Sequence, residues 1–445
     1  MSIRIVFFSN FAQYLSNKSN DMKALSIFFT LFFVLVINSQ AQKFDDYFID
    51  KTLRIDYTFS GDVHAQHIFL DQLNMMPHWY GKRSHLSEVP MEGNGQIIVK
   101  EHNSEHVIYK NSFSTLFQEW LSNDEAKIVQ RSFENVYLVP MPKDTVDVTV
   151  NLYNNRREIM ATMTHTVVPT DILIHQIGEQ TTPFEVVQQA KDENHCIHIA
   201  FVAEAYTESE MNIFMEDVRV AVEALFAHEP FKSNRDKFNI IAVKSVSQES
   251  GPSIPGKGIW KNTVLHSHFN TFYSDRYLTT LALKDLHNVL AGTPYEHIIV
   301  LVNTNNYGGG GILNSYNLSM THHSMYKPVV VHEFGHSFAG LADEYAYEFE
   351  AIPMYPKDVE PWEKNITTLH NFKGKWEKQI KSSTPKPTPA TAEYKDKIGL
   401  FEGAGYSMKG VYRPTQDCRM RTNTKPDFCP ICRQAIQEVI DFYTK

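Results

Sequence analysis

The chain has 445 residues, of which 42% are hydrophobic and 21% charged, with a formal net charge of −9 and a sequence pI near 6.1. This is the composition of a globular protein with a sizeable core, long enough for about two or three ordinary domains. The acidic balance offers no global basic field for a nucleic acid or an anionic membrane surface, so those partners are set aside.

At the N-terminus Lys23 precedes an apolar stretch from Ala24 to Ile37, interrupted by Ser26 and Thr30, that ends at the small-residue site Ser39-Gln40-Ala41. The run is shorter than the roughly 20 residues of a spanning helix and leads directly into a cleavage site. It reads as a signal peptide rather than an anchor. The expectation is export to the periplasm, cell surface or medium, with no stable membrane insertion after cleavage. Met22 stands directly before Lys23 and is a candidate natural start, so residues 1–41 read as N-terminal extension plus signal peptide.

Residues 43–180 carry short alternating segments, such as Leu53 to Phe59, Gln96 to Lys100 and Val146 to Tyr153, separated by turn residues. That period-2 pattern predicts an all-β, sandwich-like module. Ser114 to Leu121 is helix-compatible, and no motif with chemistry stands out in the module. The character changes after Gln180 to Asn194. Ile197 to Ala203, Phe238 to Val243 and His297 to Val302 read as buried strands, whereas Glu208 to Phe226 and Arg276 to Leu290 read as helices. This alternation predicts a layered α/β or α+β domain over residues 195–445. The stretch from Glu350 to Leu400, rich in Pro, Lys and Thr, reads as a surface excursion.

The segment that carries chemistry runs from Val329 to Tyr345 and contains His332-Glu333-Phe334-Gly335-His336. At 3.6 residues per turn, His332 and His336 lie about 40° apart on one helix face and can share a metal ion. Glu333 is rotated by about 100°, which places its carboxylate beside the metal rather than on it, where it can take a proton from water. Catalytic zinc takes three protein ligands and keeps one position open, so a third ligand is needed downstream. Gly340 supplies a left-handed helix end that turns the chain back. Asp343 follows that glycine by three residues, the step that separates glycine from the third histidine in the metzincin pattern, although one extra residue separates His336 from Gly340. Asp343 is therefore the preferred third ligand, with Glu344 the alternative.

Cys196 stands alone, whereas Cys418, Cys429 and Cys432 lie close together. Cys429-Pro-Ile-Cys432 also fits a redox pair or half a zinc ribbon, but no second pair completes a ribbon. In an exported protein a structural bridge from Cys418 to Cys429 or Cys432 is the preferred reading.

The string His332 to Phe338, a glycine and Leu341-Ala342-Asp343-Glu344-Tyr345 resembles the bacterial IgA peptidase family of zinc metallopeptidases. Ile254 to Thr263, Ser274 to Tyr277, Tyr307 to Ile312, Tyr412 to Pro414 and Cys418 to Met420 resemble further blocks of that family, so the likeness spans about residues 195 to 445. It implies a metzincin-like catalytic domain behind a β-rich N-terminal module, one catalytic zinc ion, and hydrolysis of peptide bonds in protein or peptide substrates. His332 and His336 carry over as ligands, Glu333 as general base and Asp343 as the third ligand. Met420 matches the methionine turn below such a site, although a packed core methionine reads equally well. Tyr412 is a candidate for stabilising the oxyanion, set against a purely structural aromatic. His322 and His323 match no ligand role. The glycines of Gly308 to Gly311, followed by Ile312 to Tyr316, fit either an exposed edge strand above the metal or a flexible loop. Immunoglobulin A and other host or dietary proteins stand equally open as substrates. A catalytically silent binding protein on a peptidase fold is the rival reading, which intact Glu333 disfavours.

Overall fold

The computed structural model describes residues 42–347 and 354–445; the segment read as a signal peptide lies outside them. No helix among the described residues is long and apolar enough to cross a membrane. Two four-stranded sheets come first. One has the order β5-β1-β2-β8, from β1 (Phe48–Gly61), β2 (Gln66–Pro77), β5 (Arg131–Pro142) and β8 (His175–Gln176). The other has the order β4-β3-β6-β7, from β3 (Gly95–Glu101), β4 (Val107–Phe113), β6 (Val146–Tyr153) and β7 (Ile159–Val167). Alternation fixes their facing surfaces, since successive side chains of a strand point to opposite sides. Leu53, Ile55, Tyr57 and Phe59 of β1 share a core with Val146, Val148, Val150 and Leu152 of β6. Phe113 and Tyr137 close the gap between the sheets, their rings 4.2 Å apart.

The outer face of β1 is buried too, which simple alternation does not anticipate. Arg54 pairs with Asp56 at 2.7 Å, and its guanidinium also donates to Asn288 Oδ1 (2.8 Å) and the Lys284 carbonyl (3.3 Å). Both acceptors belong to helix α3 (Leu283–Leu290), in the second half of the chain. A buried guanidinium is tolerated only when its donors are met, and here the pairing joins the N-terminal module to the layer behind it.

That layer is a six-stranded sheet of order β13-β14-β12-β10-β11-β9, built from β9 (Phe184–Gln188), β10 (Ile197–Glu204), β11 (Phe238–Val243), β12 (His297–Val302), β13 (Gly309–Ile312) and β14 (Tyr316–Met320). The middle four strands are parallel, and both edge strands run antiparallel. Parallel strands covered on both faces read as continuous apolar runs, as β10 and β12 do. Their residues alternate between two cores: Ala200, Val202, Ile298 and Val300 face α3 and the N-terminal module. Ile199, Phe201, Ile299 and Leu301 face the helices α2 (Met211–Phe226), α4 (Tyr326–Ala339) and α5 (Pro430–Thr444). The N-terminal helix α1 (Leu116–Trp120) and the small hairpin β15 (Phe401–Ala404) and β16 (Ser407–Arg413) complete the elements that shape the site.

Two expectations change. Strand β13 ends at Ile312 and β14 begins at Tyr316, so residues 313–315 form a hairpin turn and the strand does not continue from 312 to 316. The stretch from Glu350 to Leu400 is not all surface, because Phe372, Trp376 and Ile380 are buried in the helix-side core and Trp376 Nε1 donates to the Gly399 carbonyl at 2.9 Å. Irregular chain can enter a core when turns meet its backbone groups, and neither helical nor strand periodicity marks such residues.

The glycines of β13 let it lie directly on α4. A Cβ on Gly311 would stand 2.2 Å from the Glu333 carbonyl oxygen, and one on Gly309 would stand 3.0 Å from Val329 Cγ1. Gly311→Ala is therefore expected to lower unfolding stability by about 1–3 kcal/mol, the usual cost of forcing atoms into a packed contact. Gly374→Ala, at a position with nothing within 4 Å of the added carbon, is expected to stay within about 0.5 kcal/mol. Denaturant midpoints of the two variants check the contrast.

Candidate metal centre

Helix α4 carries Val329, Val330, Val331, Phe334 and Phe338 into the protein interior and turns His332, Glu333 and His336 toward a cavity of about 980 Å³. The helix ends as its sequence requires. Gly340 adopts φ 56° and ψ 33°, and its amide donates to the His336 carbonyl at 3.0 Å. A side chain at Gly340 would meet Trp362 at 2.6 Å and Met91 at 2.8 Å, so close packing as well as the left-handed backbone calls for glycine.

Past that turn, Asp343 Oδ1 lies 3.1 Å from His332 Nε2 and 3.3 Å from His336 Nε2, and the two imidazole nitrogens are 3.1 Å apart. Tetrahedral ligands about 2.1 Å from one zinc ion stand about 3.4 Å from each other, so these three atoms surround a point of the right size. Their chemistry agrees. His332 Nδ1 contacts the Arg419 carbonyl at 3.0 Å and His336 Nδ1 the Leu341 carbonyl at 2.5 Å. Carbonyls only accept, so both Nδ1 atoms carry hydrogen, and each neutral ring then aims its Nε2 lone pair at the shared point. Asp343 Oδ1 is buried with no hydrogen-bond donor, whereas Oδ2 accepts from the Tyr406 hydroxyl at 2.5 Å.

Glu344, the alternative ligand, points the other way: its Oε1 lies 3.1 Å from Cys432 Sγ and accepts from Asn365 Nδ2 at 3.0 Å. Successive residues of an extended chain face opposite sides, which divides Asp343 and Glu344 between two clusters. Met420 lies beneath the histidine helix, its sulfur 2.8 Å from where a Cβ on Gly335 would stand. The bridge expected from Cys418 is absent: all four cysteines are free, and Cys418 Sγ and Cys432 Sγ are 3.7 Å apart, against about 2.05 Å in a disulfide. Tyr412 does not line the cavity; its ring packs partly buried on the helix-side core, and its amide donates to the Thr367 carbonyl at 2.8 Å. His322 bonds Asp217 at 2.9 Å and His323 packs on Tyr307, both apart from the three ligand candidates.

Two contributors were not foreseen from sequence. Tyr406 sits at φ 64°, a left-handed conformation that is costly for a bulky residue, and there its hydroxyl meets Asp343 across 63 residues of chain. Glu119, from α1 of the N-terminal module, lines the cavity and accepts from the Tyr277 hydroxyl at 2.6 Å. Burial pushes the Glu119 carboxyl up to about 7, although the Tyr277 bond and His336 oppose the rise. Thr115 caps α1 by accepting from the Gln118 amide, which fixes the turn that presents Glu119. The module whose role was invisible in sequence thus forms a wall of the cavity.

Charges within the site are strongly coupled. Burial raises the Glu333 carboxyl above its ordinary range, with His332 and His336 opposing and Asp343 adding to the rise. Burial opposes charge on Asp343 as well, yet the two histidines hold its carboxyl far below the usual range. For His336, burial disfavours the imidazolium, but Asp343 outweighs it and raises the group to about 9.

A helix that presents two imidazoles and a free carboxylate, with a second carboxylate arriving from the returning loop, brings together three groups that could hold a metal ion beside a fourth that could move a proton. The chain matches the family model described as IgA Peptidase M64 over residues 186–395 and 390–440, and the one described as Peptidase M64 N-terminus over residues 43–164. It belongs to the M64 family of peptidases. No curated protein matches it.

At pH 7, metal-free His336 with a pKa of about 9 carries a proton that an incoming ion must displace. Metal binding at pH 7 is expected to release about one proton, with affinity rising about tenfold per pH unit and levelling off near pH 9. Calorimetric titration in buffers of different ionisation enthalpy measures this release; none at pH 7 would contradict the His336–Asp343 pairing.

Proposed function

We propose that this protein is an exported, zinc-dependent endopeptidase with a metzincin-like catalytic centre, in which His332, His336 and Asp343 hold the ion and Glu333 moves the proton. The convergence of three potential ligand atoms beside Glu333, in an open cleft of an M64 chain, carries this reading. Two imidazoles and one carboxylate suit zinc with one position left open. Met420 beneath the helix supports the metzincin-like comparison. Export rests on the Lys23, Ala24–Ile37 and Ser39-Gln40-Ala41 pattern alone.

When bound, zinc supplies a Lewis acid that acidifies water and polarises the scissile carbonyl. The chain's own residues do the rest. Glu333, half-buried and with its carboxyl raised above the ordinary range, accepts the proton of the attacking water and passes it to the leaving amine. Asp343, held in place by Tyr406, keeps the histidine pair oriented through charge. Strand β13 is the sheet edge at the cavity, and Gly309 to Ile312 line it, so an extended peptide can align there by strand addition. A wide cleft walled partly by the N-terminal module suits a polypeptide segment. The family's description names immunoglobulin A, and other host or dietary proteins fit the same chemistry.

Glu333→Gln keeps the side chain's shape but removes the base. It is expected to lower kcat on a cleavable peptide by about 10²–10⁴-fold with metal content unchanged. A broad peptide library finds the substrate, and metal analysis accompanies the kinetics. Unimpaired turnover would remove Glu333 from the mechanism, and loss of the metal would make it a structural residue.

A further inference from the structure

A second cluster, which the proposed hydrolysis does not use, lies where Glu344 points. Cys418, Cys432 and Glu344 are fully buried, and Cys429 is 4% exposed. One potential ligand atom from each residue lies within 4.8 Å of all the others. Buried thiols alone cost little, but a carboxyl in an apolar interior is costly unless it is paired, and here three soft ligands surround it. Cys418, Cys429 and Cys432 otherwise sit among core hydrophobics such as Met420, Phe428 and Ile436.

The spacings fit one ion. Sulfurs about 2.3 Å from a tetrahedral zinc stand about 3.8 Å apart, and Cys418 Sγ and Cys432 Sγ are 3.7 Å apart. A carboxylate oxygen at about 2.1 Å from the same ion would lie about 3.6 Å from each sulfur. Glu344 Oε1 lies 3.1 Å from Cys432 Sγ and 4.0 Å from Cys429 Sγ, either side of that value. A disulfide fits less well, because bridging two of the cysteines leaves the third thiol and a buried carboxyl facing the bridge. Glu344 Oε2 already lacks any hydrogen-bond partner.

The surroundings suit thiolates. The Cys429 amide donates to Cys418 Sγ at 3.2 Å and the Cys432 amide to Cys429 Sγ at 3.5 Å. Cys429 is the N-cap of α5, a 15-residue helix whose N-terminus favours negative charge. We propose that Glu344, Cys418, Cys429 and Cys432 bind a second, structural zinc ion in a closed four-ligand site. Soft thiolates with four protein ligands and no open position are the pattern of structural rather than catalytic zinc.

The site would brace the catalytic centre from behind. Glu344 follows Asp343, and its amide donates to the Met420 carbonyl at 2.8 Å. Cys418 precedes Arg419, whose carbonyl orients His332, and Met420, which lies under Gly335. One ion would thereby tie the loop of Asp343, the segment 418–420 and the start of α5 together. The proposal does not depend on what the cleft hydrolyses.

The test is zinc content by mass spectrometry on purified protein dialysed against a weak chelator, for the wild type and His336→Ala, with thiols counted after denaturation in strong chelator. His336→Ala removes a ligand of the cleft and none of the second site. It is expected to retain one zinc per chain, with X-ray absorption dominated by sulfur at about 2.3 Å, and to yield all four thiols. Two thiols per chain, showing a disulfide, would overturn the proposal. So would a zinc-free His336→Ala protein, or retained zinc without sulfur ligands. A wild type that loses only the cleft zinc on dialysis, while the sulfur-bound ion stays, would support the second site and count against the first.

Discussion

Everything in the catalytic half of this protein serves one unfavourable juxtaposition. His332 Nε2, His336 Nε2 and Asp343 Oδ1 crowd within 3.3 Å of one another. Without a cation or a proton at their centre the arrangement would be repulsive, and the raised His336 and depressed Asp343 are the proton-bearing answer to that repulsion. Holding such atoms together requires rigid supports on several sides. Helix α4 supplies two of them four residues apart, Gly340 turns the chain, and Tyr406 and two backbone carbonyls fix the side chains.

The supports extend outward in layers. The six-stranded sheet sends alternate residues to two cores, so α4 is pressed against one face while α3 and the β-rich module press on the other. Glycines in β13 remove the side chains that would hold the edge strand away from α4. The N-terminal module closes a wall of the cavity with Glu119 and grips α3 through Arg54. A change far from His332, His336 and Asp343 can therefore reach them through packing, since close-packed interiors transmit displacement rather than absorb it.

The parts legible in sequence were those set by short-range geometry. His332 and His336 share a helix face because of helical pitch, and Gly340 marks the helix end because of its backbone freedom. The apolar runs at Ile197 and His297 mark covered strands for a similar reason, and the alternation of Val146 to Tyr153 marks a half-buried one. What the sequence concealed depends on distant pairing. Tyr406 reaches Asp343 over 63 residues, Tyr277 reaches Glu119 over 158, and Cys432 meets Glu344 over 88. No local spacing encodes those encounters. The cysteines misled for the same reason: three of them suggested a bridge because their fourth neighbour, a glutamate, belongs to the catalytic loop. Trp376 was concealed differently, by lying buried in a segment with no periodic pattern.

Anomalous diffraction at the zinc absorption edge, from crystals of the protein, tests the central assignment most directly. A strong peak is expected within about 2.2 Å of His332 Nε2, His336 Nε2 and Asp343 Oδ1 together. A map with no peak there, or with the ion held by the histidines while Asp343 points elsewhere, would contradict that assignment.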